Sequence, residues 1–232
     1  MKRHLSESTL LDFNSKNVQE LIIEKKWNQL DNFNKIKQIY NFVRDDIKFG
    51  FNESDNISAS KILKDGYGQC NTKTILAMSL LRGVGIPCRI HGFTLNKIVQ
   101  LELLGVLYKI TPTEIIHTWI EVYYEKQWYQ LEGLILDKNY LTSIQQKYND
   151  CQGLFLGWGI ATKDLQNPQI SWNLNNTFIQ KEGIIDDLGT FDTPDDFFNQ
   201  YNQKIGWCKN LLYKYIGRHY INRNVQRIRN KL

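Results

Sequence analysis

The chain has 232 residues, of which 42% are hydrophobic, 12% aromatic and 23% charged, and its net charge is +5. These values lie close to the average for globular proteins, so they exclude a disordered, collagen-like or disulfide-dense chain. They predict a single domain over residues 1–232 with a sizeable hydrophobic core.

The hydropathy of the chain predicts a cytoplasmic protein without a membrane span. Residues 1–7 are mainly polar, and no apolar run follows that could form the core of a signal peptide. Every apolar stretch is interrupted before it reaches the roughly 18 consecutive residues that cross a bilayer. Oligomeric state is left open by the sequence.

Periodic patterns predict an α+β fold. Apolar residues at helical spacing indicate helices over 17–26 and 35–47. A short third helix, capped by Ser58 or Ser60, is predicted to end at Gly66. The remaining predicted elements are a buried helix from Cys70 that stops at Gly83, a strand over 88–95, a β-hairpin of strands over 117–124 and 128–131, and helices over 140–148, 194–202 and 205–221.

The second half of the chain is less regular. Glycine and aromatic residues predict loops between 153 and 172, where Phe155, Trp158 and Trp172 either line a substrate groove or, more simply, pack the core of a small C-terminal lobe. Only basic residues carry charge after Asp196, and a solvated helix face explains them as well as a phosphate contact does. We therefore expect no nucleic acid partner.

The four cysteines stand far apart and form no Cys-x-x-Cys pair: Cys70, Cys88, Cys151 and Cys208. This spacing argues against a zinc site, so we expect no metal and no cofactor. Cys88 is predicted to be a core residue of a strand, with His91 pointing away from it. Cys151 and Cys208 are interpreted as structural. For Cys151, which lies in an irregular segment, the alternative is a position near a cleft.

Cys70 is the candidate nucleophile. The N-terminus of a helix beside an imidazole favours the thiolate form, and Cys70 opens the buried helix after a glycine-containing turn. A lone cysteine is commonly a small hydrophobic core residue instead, so position alone leaves the two interpretations level.

His117 and Glu132 are the candidate partners of this thiol. His117 begins a strand whose face, by alternation, also includes Trp119 and Glu121. Glu132 ends the paired strand, where its carboxylate can hold the imidazole across the hairpin. Taken singly, His117 is more often an ordinary core or surface histidine and Glu132 a solvated charge, but the order Cys, His, acid favours a triad.

Three sequence blocks resemble the transglutaminase-like family: GYGQC at 66–70, HTWIEV at 117–122 and WYQLE at 128–132. They agree with the family in order and local context, and the resemblance covers roughly 35–137, leaving 138–232 as a C-terminal extension. It implies a papain-like core, in which the nucleophile helix packs on an antiparallel sheet. The helical patterns described above add helices at both ends of the chain.

The resemblance also bears on the site. The family usually has aspartate at the third triad position, where this chain has Glu132; Asp137 is a less suitable substitute because it falls outside the matching block. Calcium-dependent transglutaminases carry acidic calcium loops, and peptide N-glycanases carry paired zinc cysteines. Neither feature is evident in this sequence, which makes cross-linking by the animal mechanism and glycan release less favoured.

The function expected from these residues is cysteine-dependent acyl transfer through a thioester, most plausibly by a peptidase or amidase acting on a peptide, protein or small amide. The backbone N–H of Cys70 is a natural oxyanion donor, and Gln69, Tyr67 and Trp119 are further candidates for oxyanion or substrate binding. Gln69 has the alternative role of holding the turn. Two other functions remain open: a transamidase or deamidase of protein glutamines, and a binding module that has lost catalysis.

Overall fold

The structure is a computed structural model that describes residues 2–203 and 206–230, with the side chains of Cys208 and Lys209 outside the description. Its α-helices are α1 (Lys16–Glu24), α2 (Asn32–Asp45), α3 (Ala59–Asp65), α4 (Cys70–Gly83), α5 (Leu101–Leu104), α6 (Lys138–Lys147), α7 (Pro194–Gln200), α8 (Trp207–Leu212) and α9 (Arg218–Arg229). Its strands are β1 (Lys48–Phe49), β2 (Tyr67–Gly68), β3 (Cys88–Asn96), β4 (Glu114–Tyr124), β5 (Gln127–Leu131), β6 (Phe155–Gly157), β7 (Ile160–Thr162) and β8 (Ile184–Phe191).

The main sheet is antiparallel and has four strands in the order β5-β4-β3-β8. Its centre is the long pairing of β3 with β4, in which Cys88 lies opposite Val122 and Phe93 opposite His117. Helix α4 packs on this sheet, where its apolar side chains share a core with Ile120. The predicted α+β fold, with the helix that begins at Cys70 packed on an antiparallel sheet and helices at both ends, is confirmed.

The predicted hairpin is formed by β4 and β5. Glu125 and Lys126 connect the strands with positive φ angles of 47° and 66°, as in the tight turns whose twist matches that of paired strands. The pairing ends with Ile120 opposite Leu131. The chain that follows β5 therefore lies beside the first half of β4, which contains His117.

Helix α4 is buried on all sides, and this burial fixes the position of its first residue. Every residue from Cys70 to Arg82 is buried. At its start, the backbone N–H of Gln69 donates a 3.0 Å hydrogen bond to Thr72 Oγ1, which satisfies a donor next to the first turn. After its end, Gly85 takes a φ of 81°, a conformation that glycine adopts without strain. Cys70 is therefore held on a rigid element.

Strand β8 has no counterpart among the predicted elements. It forms the edge of the sheet beside β3, and its side chains are half-buried or exposed. Shifts in register interrupt its pairing with β3, and Gly189 within it has a φ of 83°. Because an exposed and irregular edge strand lacks a regular apolar alternation, the pattern is too weak to predict it. Strands β6 and β7 likewise form a short hairpin within the stretch predicted as loops.

The C-terminal helices differ from the predicted helix over 205–221. Ile205 lies outside the described residues, and the helical run continues from α8 through a π-helical turn (Tyr213–Gly217) to the end of α9. Helix α9 packs on the core, where Asn222 exchanges hydrogen bonds of 2.7 and 2.9 Å with the backbone of Phe51. Part of the basic C-terminal segment is therefore committed to packing.

A buried ion pair fastens α9 to the core. Arg229 Nη2 lies 2.6 Å from Asp137 Oδ2, and the Asp137 carboxylate also accepts hydrogen bonds from the backbone N–H groups of Phe49 (2.8 Å) and Tyr140 (3.1 Å). Burial alone would raise the pKa of Asp137, but the hydrogen bond and charge of Arg229 lower it overall. Asp137 is thus engaged away from His117, as the cap of α6.

We expect Asp137→Ala to lower the free energy of unfolding by about 3–5 kcal/mol, because Arg229 loses its buried partner and two backbone N–H groups lose their acceptor. Asp137→Asn keeps the cap without the charge and should cost less. Since the folded-state pKa is lowered, the stabilisation is present above the ordinary pKa of about 3.9 and is lost as the pH falls through the folded value. Urea unfolding at neutral and acidic pH measures this; equal stability of all three proteins at neutral pH would contradict it.

Some predictions from composition are not tested by the fold. Among the described residues, no helix has the length and apolar character that crossing a membrane requires. The cytoplasmic location stays a prediction, as do the single domain over 1–232 and its division near residue 137.

Candidate active site

Cys70 lies at the first position of α4 and borders a cavity. Its side chain is 7% exposed. The cavity has a volume of about 380 Å³ and is bounded by the loop around Asp55, by residues 100–116 and by the C-terminal helices. As the first helical residue, Cys70 also presents a backbone N–H and the positive end of the helix dipole.

His117 belongs to strand β4. Its ring is completely buried and lies next to Cys70. Its Nε2 is 2.7 Å from Oε1 of Glu132. Within the described residues, its Nδ1 has no hydrogen-bond partner. One ring nitrogen is therefore held by the acid, and the other is left for the thiol.

Glu132 is fixed by more than the histidine. Its carboxylate is fully buried, and Oε2 accepts hydrogen bonds from the backbone N–H groups of Ile179 (2.8 Å) and Gln180 (2.9 Å). Its own backbone N–H donates to the carbonyl of Thr177 at 2.9 Å. The glutamate, which is longer than the aspartate usual in the resembling family, is thus held at both oxygens and needs no further support to reach His117.

The charges of the site favour an ion pair. Burial acts to lower the pKa of His117, but the neighbouring Cys70 thiolate and the Glu132 carboxylate outweigh burial and raise this pKa to about 10. The imidazolium is therefore the stable form near neutral pH when Cys70 is ionised. Such a pair supplies both a nucleophile and a proton for a leaving group.

Asn71 connects helix α4 to strand β4, which carries His117. Its Nδ2 donates to the carbonyl of Ile116 at 3.2 Å, and its Oδ1 accepts from the Thr118 hydroxyl at 3.0 Å. These two residues flank His117 in the sequence. The same Oδ1 lies 3.7 Å from Cys70 Sγ. Asn71 therefore sets the position of the thiol relative to the imidazole.

We expect Asn71→Ala to lower the free energy of unfolding by about 1–3 kcal/mol, because it leaves buried hydrogen-bond partners on β4 unsatisfied. Acylation of Cys70 should slow by about tenfold or more, since misplacement of reacting groups by a fraction of an ångström is costly. Chemical denaturation and stopped-flow acylation measure the two effects. The control is Ser79→Ala, which removes a buried hydroxyl of α4 that has no hydrogen-bond partner among the described residues. It should match the wild type in both measurements. Wild-type acylation by Asn71→Ala would contradict this positioning role.

Lys73 binds the backbone of the segment that follows Glu132. It is a fully buried lysine on α4, and its Nζ donates to the carbonyls of Arg44, Leu134 and Ile135 at 3.1, 3.0 and 2.8 Å. Burial lowers the pKa of Lys73 to about 7. Because Leu134 and Ile135 lie two and three residues after Glu132, these bonds connect the segment that carries Glu132 to helix α4.

The sequence analysis missed Asn71 and Lys73. A signal for Lys73 exists: it is a lysine one helical turn after Cys70 in a helix that is otherwise apolar or uncharged up to Arg82, and a charge there must be paired or bound to carbonyls. Asn71 carries no comparable signal, because its partners belong to a strand whose register the sequence does not determine.

Gln69 lines the cavity, but its amide is engaged on both sides. Its Oε1 accepts from the backbone N–H of Asn52 at 3.0 Å, and its Nε2 donates to Asp55 Oδ1 at 2.8 Å. Gln69 therefore holds the loop of residues 52–55 against the start of α4. Its use as an oxyanion donor stays a prediction.

Tyr67 and Trp119 are not among the described residues that line the cavity. The Tyr67 hydroxyl accepts a 3.4 Å hydrogen bond from Arg218. Trp119 is buried with its ring centroid 3.9 Å from that of Phe93 and 6.2 Å from that of His117. Trp119 therefore packs beside the catalytic histidine candidate, on the face that alternation predicts, and a role for either residue in substrate binding stays a prediction.

The remaining cysteines lie away from the cavity or outside the description. Cys88 is buried, which raises the pKa of its thiol to about 11, and His91 points to the other face of β3, 2.7 Å from Glu121; both predictions are confirmed. Cys151 is half-buried and does not line the cavity in the described part of the chain. The side chain of Cys208 lies outside the described residues.

The aromatic residues considered for a substrate groove pack elsewhere. Trp172 is buried in the main core, 5.2 Å from Phe33 between ring centroids. Phe155 and Trp158 are half-buried around Tyr148. None of the three lines the described cavity. Of the two predicted roles, packing in the protein interior fits these residues better than lining a substrate groove. Trp172 packs in the main core and not in a separate C-terminal lobe.

Together, fold and site define a class: a papain-like α+β domain in which a thiol at a helix N-terminus faces an imidazole and a buried carboxylate on an antiparallel sheet. Within residues 2–203 and 206–230, no three His, Cys, Asp or Glu side chains are grouped so as to hold a metal ion. The sequence model of the transglutaminase-like superfamily matches residues 20–133, which include Cys70, His117 and Glu132. Over this region, just under half of the chain, the sequence matches the transglutaminase-like superfamily.

Solved structures that are similar to the chain include a bacterial and a fish protein. A candidate cysteine protease from Cytophaga hutchinsonii aligns with a TM-score of 0.46 and 14% identity, over 83% of this chain and 47% of that one. Red sea bream transglutaminase aligns with a TM-score of 0.30 and 18% identity, over 42% and 21%. The chain thus spans less than half the length of either structure. No curated protein matches it significantly.

Proposed function

We propose that the chain is a thiol-dependent acyl-transfer enzyme that hydrolyses an amide bond in a peptide, protein or small amide. Cys70 is the nucleophile, His117 the general base and acid, and Glu132 the residue that orients the imidazole. The observation that supports this most strongly is the buried imidazole beside the Cys70 thiol. It is bound by Glu132 through Nε2, and its Nδ1 has no hydrogen-bond partner among the described residues.

The reaction has two steps. Cys70 Sγ attacks the carbonyl carbon, and the C–N bond breaks as the proton on His117 Nδ1 passes to the leaving amine. The backbone N–H of Cys70 stabilises the oxyanion that forms in between. Water then attacks the thioester and gives a proton to His117, which releases the carboxylic acid and restores the Cys70 thiolate.

Transamidation and deamidation use the same thioester and differ only in the group that enters or leaves. An amine in place of water gives transamidation, and a glutamine side chain as acyl donor with water as acceptor gives deamidation. The cavity beside Cys70 is large enough to admit an amine as well as water. The share of the thioester that reacts with water and the share that reacts with an amine must therefore be measured.

p-Nitrophenyl acetate tests the proposal, because its activated ester acylates a thiolate without the natural substrate being known. We expect an acetyl group on Cys70, located by peptide mass spectrometry, and release of nitrophenol that continues beyond the first turnover. Added hydroxylamine converts the thioester to a hydroxamate and reports how well an amine competes with water. If Cys70 is not acetylated, or no faster than Cys151, the binding-module alternative becomes the better account.

A further inference from the structure

The cavity beside Cys70 combines apolar walls with one carboxyl group. Of the described residues that line it, Asp55 alone has a charged side chain. Apolar side chains form much of the remaining wall: Leu104, Leu107, Ile110, Ile115, Leu212 and Ile221. A group bound in this cavity therefore meets hydrocarbon on several sides and a carboxyl at one place.

Asp55 has no cationic partner in the described part of the chain. Its Oδ1 accepts a 2.8 Å hydrogen bond from the neutral amide of Gln69, and it forms no ion pair with a lysine, arginine or histidine among residues 2–203 and 206–230. Glu53, two residues earlier, shows the contrast because it lies 3.0 Å from Lys214 Nζ. Burial raises the pKa of Asp55, and hydrogen bonds from Gln69 and Asn71 offset this only in part.

A half-buried carboxylate without a counter-ion is stabilised by any cation that can reach it. The walls admit an aliphatic chain, which gains free energy by leaving water. A ligand group that satisfies both features has a hydrocarbon stem and a positive end. Amide oxygens or hydroxyl groups alone would leave the carboxylate uncompensated.

We propose that Asp55 selects substrates with a cationic side chain close to the bond that Cys70 attacks: an aliphatic stem that ends in an ammonium or guanidinium group, as in lysine and arginine residues. The stem packs on the apolar walls, and the cation pairs with the Asp55 carboxylate. Asp55 is then a specificity-determining residue. This inference rests on the proposed function, because it names the substrate class of the same site.

Methanethiosulfonates that differ in charge test the inference without turnover. The 2-aminoethyl reagent is cationic, the propyl reagent neutral and the 2-sulfonatoethyl reagent anionic. Each forms a mixed disulfide with the Cys70 thiolate and releases methanesulfinate. Rates at Cys70 are followed by peptide mass spectrometry in the wild type, Asp55→Asn and Glu53→Gln. Asparagine keeps an acceptor for Gln69, and Glu53→Gln removes the same charge from the paired neighbour.

We expect the cation-to-anion rate ratio to fall about tenfold in Asp55→Asn and to change less than about twofold in Glu53→Gln. The propyl reagent should react at the same rate with all three proteins. Among short peptide amides, the wild type should cleave after lysine or arginine faster than after norleucine, and Asp55→Asn should lose this preference.

Three results would overturn the inference: a ratio unchanged in Asp55→Asn, an equal fall in Glu53→Gln, or a matching loss of the propyl rate, which would make Asp55 only a support for the loop. Failure of the proposed function gives a different result, since no acyl-enzyme then forms at Cys70 while the reagent ratio can still be measured.

Discussion

Replacing Cys70 with alanine is expected to abolish acyl-enzyme formation and to reduce turnover by about 10⁴–10⁶-fold. In the described part of the chain, no other thiol lines the cavity, so Cys70 is the thiol there that His117 can activate. Alanine suits a helix and is smaller than cysteine, and the fold should therefore persist. Nitrophenol release from p-nitrophenyl acetate measures the loss, and circular dichroism checks the fold.

The matched control is Cys151→Ser, which removes a half-buried thiol that does not line the described cavity. It should turn over the ester at close to the wild-type rate. Full activity in Cys70→Ala, or loss of activity in Cys151→Ser with an intact fold, would show that the nucleophile has been misassigned.

Glu132→Gln is expected to slow acylation by about 10²–10⁴-fold. The backbone N–H groups of Ile179 and Gln180 both donate to Glu132 Oε2. Because these donors need an acceptor, the side-chain oxygen of the introduced glutamine should take the position of Oε2. Its NH₂ group then faces His117 Nε2, which must become an acceptor. The ring proton moves to Nδ1, and no base faces Cys70.

Two measurements separate this tautomer change from a loss of structure. Nitrogen-15 NMR of the labelled histidines reports which ring nitrogen of His117 carries the proton, and urea unfolding reports stability. A rate within about threefold of the wild type, with the proton still on Nε2, would point to another orienting residue for His117.

Much of the site was predictable because its residues lie in short blocks with local patterns. The glycine turn before Cys70, the apolar helix after it and the alternation around His117 are each visible within about ten residues. The hairpin brings Glu132 beside His117 because its turn is short. The clamp on Glu132 from Ile179 and Gln180 was not predictable, since it comes from an irregular segment almost fifty residues away along the chain.

The same distinction holds for the fold. Strands β3 and β5 largely alternate between buried and half-buried residues, and the middle of β4 is buried throughout. Strand β8 at the sheet edge has half-buried and exposed residues, and its polar sequence resembles that of a loop. The basic C-terminal helix suggested a solvated face, but Arg229 pairs with buried Asp137. The sequence shows which residues are charged, but it does not show which of them meet in the folded chain. The pairing of Arg229 with Asp137 was therefore not predictable.

The most direct test of the central claim is the pH dependence of iodoacetamide alkylation of Cys70 in the wild type and in His117→Gln, which keeps a hydrogen-bond donor for Glu132. Because the pKa of His117 is raised to about 10, its ring stays protonated below that pH and can pair with the Cys70 thiolate. We therefore expect rapid and selective labelling of Cys70 in the wild type at about pH 6, well below the ordinary thiol pKa of about 8.5. In His117→Gln, labelling at this pH should fall at least about tenfold. Identical profiles for the two proteins, or labelling of Cys151 before Cys70, would contradict the assignment of a Cys70–His117 pair.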